Sequence, residues 1–159
     1  MNKSIKIYNE IRLFNEEHYQ NLMLSWKIRK GFVLEVSMER IDAYVQWYFV
    51  KYVLPHFEKE EKFVFPLLGF DNELVKRAMG DHRRLRRLFT SKSNLERKLS
   101  LIEEEFELHI RFEEKILFTE IQSLVPRNEL EMLVEKLKAQ TFEENTLDQF
   151  WKNNKKEKS

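Results

Sequence analysis

His56-Phe57-Glu58-Lys59-Glu60-Glu61-Lys62-Phe63-Val64-Phe65 recurs in this chain as His109-Ile110-Arg111-Phe112-Glu113-Glu114-Lys115-Ile116-Leu117-Phe118. Both copies read His-x-x-x-Glu-Glu-Lys-x-x-Phe. On an α-helix, residues four apart lie about 40° apart around the axis and about 6 Å apart along it. Each copy therefore puts one imidazole and one carboxylate on a single face. Both pairs fall on otherwise apolar stripes, where buried His and Glu are costly unless paired or bound to a cation. Two such pairs facing each other across a bundle core predict a metal site with nitrogen and oxygen ligands.

The rest of the composition suits that architecture. The 159 residues suffice for one domain with a real core. Only three glycines and three prolines stand against 42% hydrophobic and 35% charged residues, the profile of a mostly helical protein. Lys+Arg 28 against Asp+Glu 27 leaves a net charge of +1, so no global signal points to nucleic acid. With no cysteine, the chain has no disulfides, thiolate ligands, iron–sulfur ligation or thiol catalysis. No apolar run approaches membrane-spanning length and no signal-type apolar segment opens the chain. The expected location is the cytoplasm, with no membrane partner.

Apolar periodicity and turn residues predict an all-α, up-down-up-down four-helix bundle with an additional C-terminal helix. Helix A is expected over 8–30, with Ile7, Ile11, Phe14, His18 and Leu22 on one face. Gly31 and the patch to Val36 mark a connection, and Ser37 is the expected N-cap of helix B, 38–68. Helix B turns Ile41, Val45, Tyr48, Tyr52, His56, Glu60, Phe63 and Leu67 inward. Pro55 should kink it or remove a hydrogen bond. Helix C, 72–89, is capped by Asp71 and carries Val75, Ala78, His82, Leu85 and Phe89, with Gly80 in its interior. Helix D, 95–124, points Leu99, Ile102, Phe106, His109, Glu113, Ile116 and Leu124 inward. Pro126 stops it and opens helix E, 127–139, whose face is Leu130, Leu133, Val134 and Leu137. Residues 1–140 thus form the bundle with its fifth helix. Residues 141–159 form a partly disordered tail in which Leu147, Phe150 and Trp151 offer docking groups.

The four histidines supply a test. His18, His56, His82 and His109 are the only ones, one on each long helix and each on the apolar stripe. If all four lie at one height, each connection must fall midway between consecutive histidines. The midpoints are residue 37, residue 69 and the bond between 95 and 96. Ser37 and Gly69 stand at the first two, and the Ser91–Asn94 turn ends just before the third.

Four imidazoles and two carboxylates suit a borderline transition metal: iron, manganese or zinc. His18 and His56 are assigned to one ion, and His82 and His109 to the other. Glu60 and Glu113 are the bridges. Open positions on a redox metal would admit O2, peroxide or NO. A structural zinc site is closed and tetrahedral, which six ligands disfavour. The Glu-x-x-His motif of ferritin-like proteins is absent, since Asn15, Val53, Met79 and Phe106 stand three before the histidines. So is His-Glu-x-x-His.

Over residues of roughly 8–125 the chain resembles the hemerythrin-like, or HHE cation-binding, family. The likeness rests on His18, on His56 with Glu60, on His82, and on His109 with Glu113. Leu54-Pro55-His56-Phe57 and the Glu-Glu run strengthen it. The resemblance implies a non-haem di-iron centre, two iron ions joined by an oxo or hydroxo bridge, that binds or senses O2, NO, peroxide or iron. Its alternatives are a di-iron enzyme reducing peroxide or NO, and a role in iron–sulfur repair. Oxygen-carrying members have a fifth histidine on the third helix. Here Ala78 and Arg86 occupy the candidate positions, which disfavours reversible oxygen carriage. The repair proteins carry a cysteine-bearing leader, for which this sequence has neither cysteine nor room. A small diatomic or peroxide ligand is the expected partner, and a protein partner or homodimer is left open.

Other residues near the motifs have blander readings. Glu61 and Glu114 are expected to be solvated or to accept hydrogen bonds behind the ligands. Glu17 and Asp81 should be exposed, because neighbours in a helix point about 100° apart. Arg83, Arg84, Arg86 and Arg87 read as a solvated basic face, with Arg86 able to reach the rim of the metal pocket. Trp26, Trp47, Tyr48 and Phe65 read as core or near-core.

Overall fold

The computed structural model describes residues 15–137 and 140–152. Among these residues the protein is all-α, with no strands: an up-down-up-down bundle of four rods and a fifth helix. The expected inward positions Ile7, Ile11 and Phe14, the end of helix E beyond 137 and the lysine-rich end from 153 onward lie outside the described residues, as does the side chain of Val134.

The first rod is α1, Asn15–Val33, so Gly31 lies inside the helix rather than in the connection. The second begins with α2, Met38–Tyr48, where the Ser37 side chain accepts from the Arg40 N–H as expected. It runs through a π-helical turn, Phe49–Val53, into α3, Leu54–Lys59, and through a second π turn, Glu60–Val64, to a 3-10 turn at Phe65–Leu67. The third rod is α4, Glu73–Thr90. Its cap is Asn72 and not Asp71. Gly69 takes φ +88° to reverse the chain, which leaves Asn72 extended, with its side chain accepting from the N–H groups of Leu74 and Val75. The fourth is α5, Leu95–Phe112, followed by a π turn, Glu113–Leu117, and α6, Phe118–Leu124. Helix α7, Arg127–Lys136, turns Leu130 and Leu133 inward, with Leu137 buried just beyond. Glu16 and Glu17 on α1, Glu39, Glu73, Glu96 and Glu129 lie in first turns, where carboxylates favour the helix dipole.

The π turns correct the expected core. The turns that begin at Glu60 and Glu113 each hold one surplus residue, so the buried face advances by one position beyond them, whereas past the turn at Phe49 the expected Tyr52, His56 and Glu60 stay buried. Ile116 and Leu124 are exposed, at 46% and 62%, and their neighbours Leu117 and Val125 are buried instead. Phe63 and Leu67 are only half-buried while Val64 and Phe65 are buried. Upstream of the turns, every expected inward residue of α4 and α5 is buried. Pro55 lies just past the first π turn, where the Leu54 N–H bonds the Phe49 carbonyl five residues back. Trp26 is 41% exposed, against the core reading.

Apolar packing divides into two clusters. One joins α1, α2, α4 and α5 and contains Phe49, Phe57, Phe89 and Phe106. The other joins the far ends of the rods to α7 and contains Phe65, Phe112, Phe118 and Leu130. The histidine layer lies at the seam. Beyond α7 the chain crosses back over α1 and α2. Phe150 is fully buried and Trp151 nearly so, whereas Leu147, a third expected anchor, is 93% exposed.

Two glycines have opposite surroundings. A Cβ on Gly31 would lie 2.8 Å from Ile41 Cδ1 and 2.8 Å from Phe150 Cε2. Around Gly80 it would meet only the Arg83 guanidinium, at 3.7 Å, so no close helix approach depends on that glycine. Gly31→Ala is expected to cost about 1–3 kcal/mol through overpacking. Gly80→Ala should gain up to about 1 kcal/mol of helix propensity. Denaturant midpoints of the two variants measure both, and equal shifts would contradict this packing.

Candidate metal centre

All six residues singled out from the sequence meet at mid-bundle. His18 comes from α1, His56 from α3, His82 from α4 and His109 from α5. Glu60 and Glu113 each open a π turn, and all six are no more than 2% exposed. Glu60 turns Oε1 to His82 Nε2 at 3.1 Å and Oε2 to His56 Nε2 at 3.3 Å and His18 Nε2 at 3.7 Å. Glu113 turns Oε1 to His18 Nε2 at 3.3 Å and Oε2 to His109 Nε2 at 3.2 Å and His82 Nε2 at 3.8 Å. Each carboxylate thus gives one oxygen to each histidine pair. The ligand atoms form two overlapping groups, His18-His56-Glu60-Glu113 and Glu60-His82-His109-Glu113, each spanning no more than 4.8 Å. Donor atoms about 2.1 Å from an octahedral ion stand about 3 Å apart along an edge, which is the spacing seen.

Residues 14–121 match the family model described as the hemerythrin HHE cation binding domain. The chain belongs to the hemerythrin HHE cation-binding family. No curated protein and no solved structure compared with the chain matches it.

The buried atoms fit the HHE dimetal arrangement. Glu60 Oε2, both oxygens of Glu113 and Nε2 of His109 are buried without a hydrogen bond. Unsatisfied buried carboxylate oxygens are strongly unfavourable. Three of them and an imidazole nitrogen converging on one point make a donor set shaped for cations. The pattern is neutral nitrogen plus carboxylate oxygen, suited to a first-row transition metal.

Behind the six stands a complete outer ring. Nδ1 of His56 meets Glu17 at 2.7 Å, and Nδ1 of His82 meets Glu61 at 2.6 Å. Nδ1 of His109 meets Asp81 at 3.0 Å, and Nδ1 of His18 meets Glu114 at 3.4 Å. The ring runs once around the bundle: each rod supplies the carboxylate for the histidine of the next. Carboxylates in this position fix the tautomer so that Nε2 faces the ion. The expected exposure of Glu17 and Asp81 is therefore wrong. Each points away from its own helix's histidine, as a 100° step requires, but toward its neighbour's. The sequence carried a signal for them, an acid directly before each histidine on the first and third rods: Glu17-His18 and Asp81-His82.

Four positions of the repeated motif, its His, both Glu and its Phe, have a place at the centre. Its His and first Glu face the centre, and its second Glu, Glu61 or Glu114, holds the next rod's histidine. Its closing phenylalanine covers that same histidine. Phe118 stacks on His18 at 5.4 Å and Phe65 lies 5.3 Å from His82, with Phe57 stacked on His82's ring at 3.8 Å. Arg86 reaches Glu61 with two hydrogen bonds, so it supports His82 from behind, while Arg84 pairs with Glu105 at the surface.

Electrostatics follow from this crowding. Burial opposes charge on every histidine, but the carboxylates win. Contacts with Glu113, Glu60 and Glu61 push His82 up to about 11, and contacts with Glu113 and Asp81 push His109 up to about 8. His18 and His56 are raised as well. Burial and Glu113 work to raise Glu60, yet His56 and His18 bring it down to about 2. Without a cation, protons on the imidazoles neutralise the buried carboxylates. For His109 the folded value exceeds the unfolded 6.5. Its contribution is therefore fully present below pH 6.5 and lost as the pH rises through about 8. Metal-free protein should lose on the order of 2 kcal/mol from this group across that window. Asp81→Asn should flatten the slope, as read from denaturant midpoints at a series of pH values.

Proposed function

We propose that the protein is a non-haem di-iron binding protein that senses a small ligand such as O2, NO or peroxide. His18 and His56 hold one ion, His82 and His109 the other, and Glu60 and Glu113 bridge them. The observation that carries this reading is the division of each glutamate's two oxygens between the two histidine pairs. That division is what a bridging carboxylate needs, and a single ion would not require it.

Iron is favoured over zinc because each ion receives two imidazole nitrogens and two carboxylate oxygens, and positions left open on a redox-active metal are where a small ligand would bind. Bound there, an iron pair supplies one-electron chemistry and open coordination positions for a small molecule. The chain's own residues do the rest. Glu17, Glu61, Asp81 and Glu114 keep the Nδ1 protons in place and so aim each Nε2 inward. Phe57, Phe65 and Phe118 close the layer against water. A cavity of about 150 Å³ lies against His109 and Asp81 between Arg77 and Arg84. Ala78 and Arg86 stand where oxygen carriers of the family add a histidine, so sensing suits this chain better than oxygen transport. Among the described residues no helix is long and apolar enough to cross a membrane.

Protein purified without a His-tag from iron-replete cells should contain about two irons per chain by elemental analysis. Its optical spectrum should change between anaerobic reduced and oxidised samples. Less than one metal per chain overturns the reading. His109→Ala should abolish the pair while leaving a folded bundle. Steady-state turnover of peroxide or NO, lost in that variant, would instead make the protein an enzyme.

Loading must also displace protons, because His82 and His109 carry them up to about 11 and about 8. Metal uptake in weak buffer at neutral pH should acidify the solution, and apparent affinity should climb with pH.

A further inference from the structure

Residues 140–151 lie outside the stretch that matches the family, yet they are tied closely to the bundle. They run as an irregular strap over α1 and α2. The Glu143 N–H donates to Tyr52 Oη at 2.8 Å, and that hydroxyl donates back to the Glu143 carbonyl at 3.2 Å. Lys27, 5% exposed, donates to Glu144 at 2.7 Å and to Tyr44 Oη at 2.8 Å, and lies 4.3 Å from the Trp151 ring. Arg40 grips Asp148 with two bonds of 2.8 and 2.7 Å. Phe150 closes the far end against Gly31.

The near end of the strap reaches the metal layer. The Gln140 backbone N–H donates to Glu17 Oε2 at 3.1 Å. The other oxygen of Glu17, Oε1, holds His56 Nδ1 at 2.7 Å, and Lys59 donates at 2.5 Å to Oε2, the oxygen that the Gln140 amide also reaches. The Gln140 side chain donates to the Lys51 carbonyl at 2.9 Å. In a regular helix that carbonyl would take the N–H of residue 55, which Pro55 lacks. So the proline next to the ligand gives the strap an anchor, and the anchored residue's amide steadies the ligand's partner. Glu61, Asp81 and Glu114 make their described bonds to side chains of the four rods. Glu17 alone among the four outer carboxylates is also bonded by the strap.

We propose that the strap is a positioning element of the metal centre, acting through the Gln140 amide on Glu17 and through Glu17 on His56. The inference rests on the di-iron reading above. It makes the two ions unequal: the one held by His18 and His56 depends on the C-terminal segment, and the one held by His82 and His109 does not. By linkage, a metal that needs His56 fixed must in turn hold the strap down.

The test titrates metal-free protein anaerobically with ferrous iron against a competing chelator, resolving two binding steps. Gln140→Pro removes the amide proton, whereas Gln140→Ala keeps it and loses only the side-chain bond to Lys51. The proline variant should weaken one step by roughly tenfold, the lower end of what outer-ring changes do to metal sites, and leave the other unchanged. The alanine variant, which keeps the amide but loses the anchor, should weaken that same step by less than the proline variant does. Asp81→Asn, which acts on His109, should weaken the opposite step, so that the double variant with Gln140→Pro weakens both. Metal loading should also slow hydrogen exchange at the Gln140 amide. If the wild type takes two ions and Gln140→Pro binds both unchanged, this inference fails while the di-iron reading stands. If Gln140→Pro weakens both steps equally and lowers the unfolding midpoint of metal-free protein, the strap is only structural and the inference also fails. A wild type that takes no iron overturns both.

Discussion

Two glutamates with no exposed surface, their oxygens directed at each other's histidines, set the terms for this protein. A carboxylate moved into a low-dielectric interior loses solvation worth several kcal/mol, and a second one close by adds repulsion. Neutralisation has to come from within the bundle or from a bound cation. Four imidazoles ring the pair, each able to carry a proton or to surrender it to a metal. The outer carboxylates then restrain those imidazoles, and phenylalanine rings at the end of each motif exclude water. The apolar core is split into two clusters because this polar layer lies between them.

Much of this was legible in the sequence because the layer is periodic. The repeated motif, with one histidine on each stripe, gave the four rods, their direction and the six convergent side chains. The positions of Ser37, Gly69 and the turn before Leu95 placed the histidines at one height. What escaped followed from two kinds of departure from a simple helical wheel. Ile116 and Leu124 fall inward on an unbroken 3.6-residue period, but the π turn that begins at Glu113 shifts the face to Leu117 and Val125. Nothing in Glu-Glu-Lys-Ile-Leu by itself announces a five-residue turn. Glu17 and Asp81 were judged against their own helix, where they do point sideways. Their role is between helices, and only the echo of acid-histidine pairs hinted at it. The choice of Asn72 over Asp71 as a cap was a one-residue ambiguity between two equally suitable side chains.

The two halves of the centre are alike in pattern but differ in surroundings. His82 is stacked on Phe57, neighbours Phe65 and is backed by Glu61, which Arg86 fixes in turn. His109 is backed by Asp81 at the wall of a small cavity. His56 sits behind a proline and beneath the C-terminal segment, with a lysine on the carboxylate that orients it. Internal repetition supplied the scaffold, and the unrepeated parts of the sequence distinguish its two ends.

The wide turns that begin at Glu60 and Glu113 amount to one spare residue in each of two rods. Deleting it from one, Lys115 for instance, would let that rod wind evenly and still keep Leu117 and Val125 inward, because one residue fewer and one wide turn fewer cancel. Winding evenly with every residue kept would instead swing everything downstream by about 100°. Ile116 and Leu124 would come to face the interior, and the Phe118 ring would leave the imidazole it covers. The spare residue behaves like a gear tooth. It sets the phase between the half of the rod that carries the chemistry and the half that builds the floor beneath it. Even winding there without the loss of a residue would disengage the two while leaving each half perfectly helical.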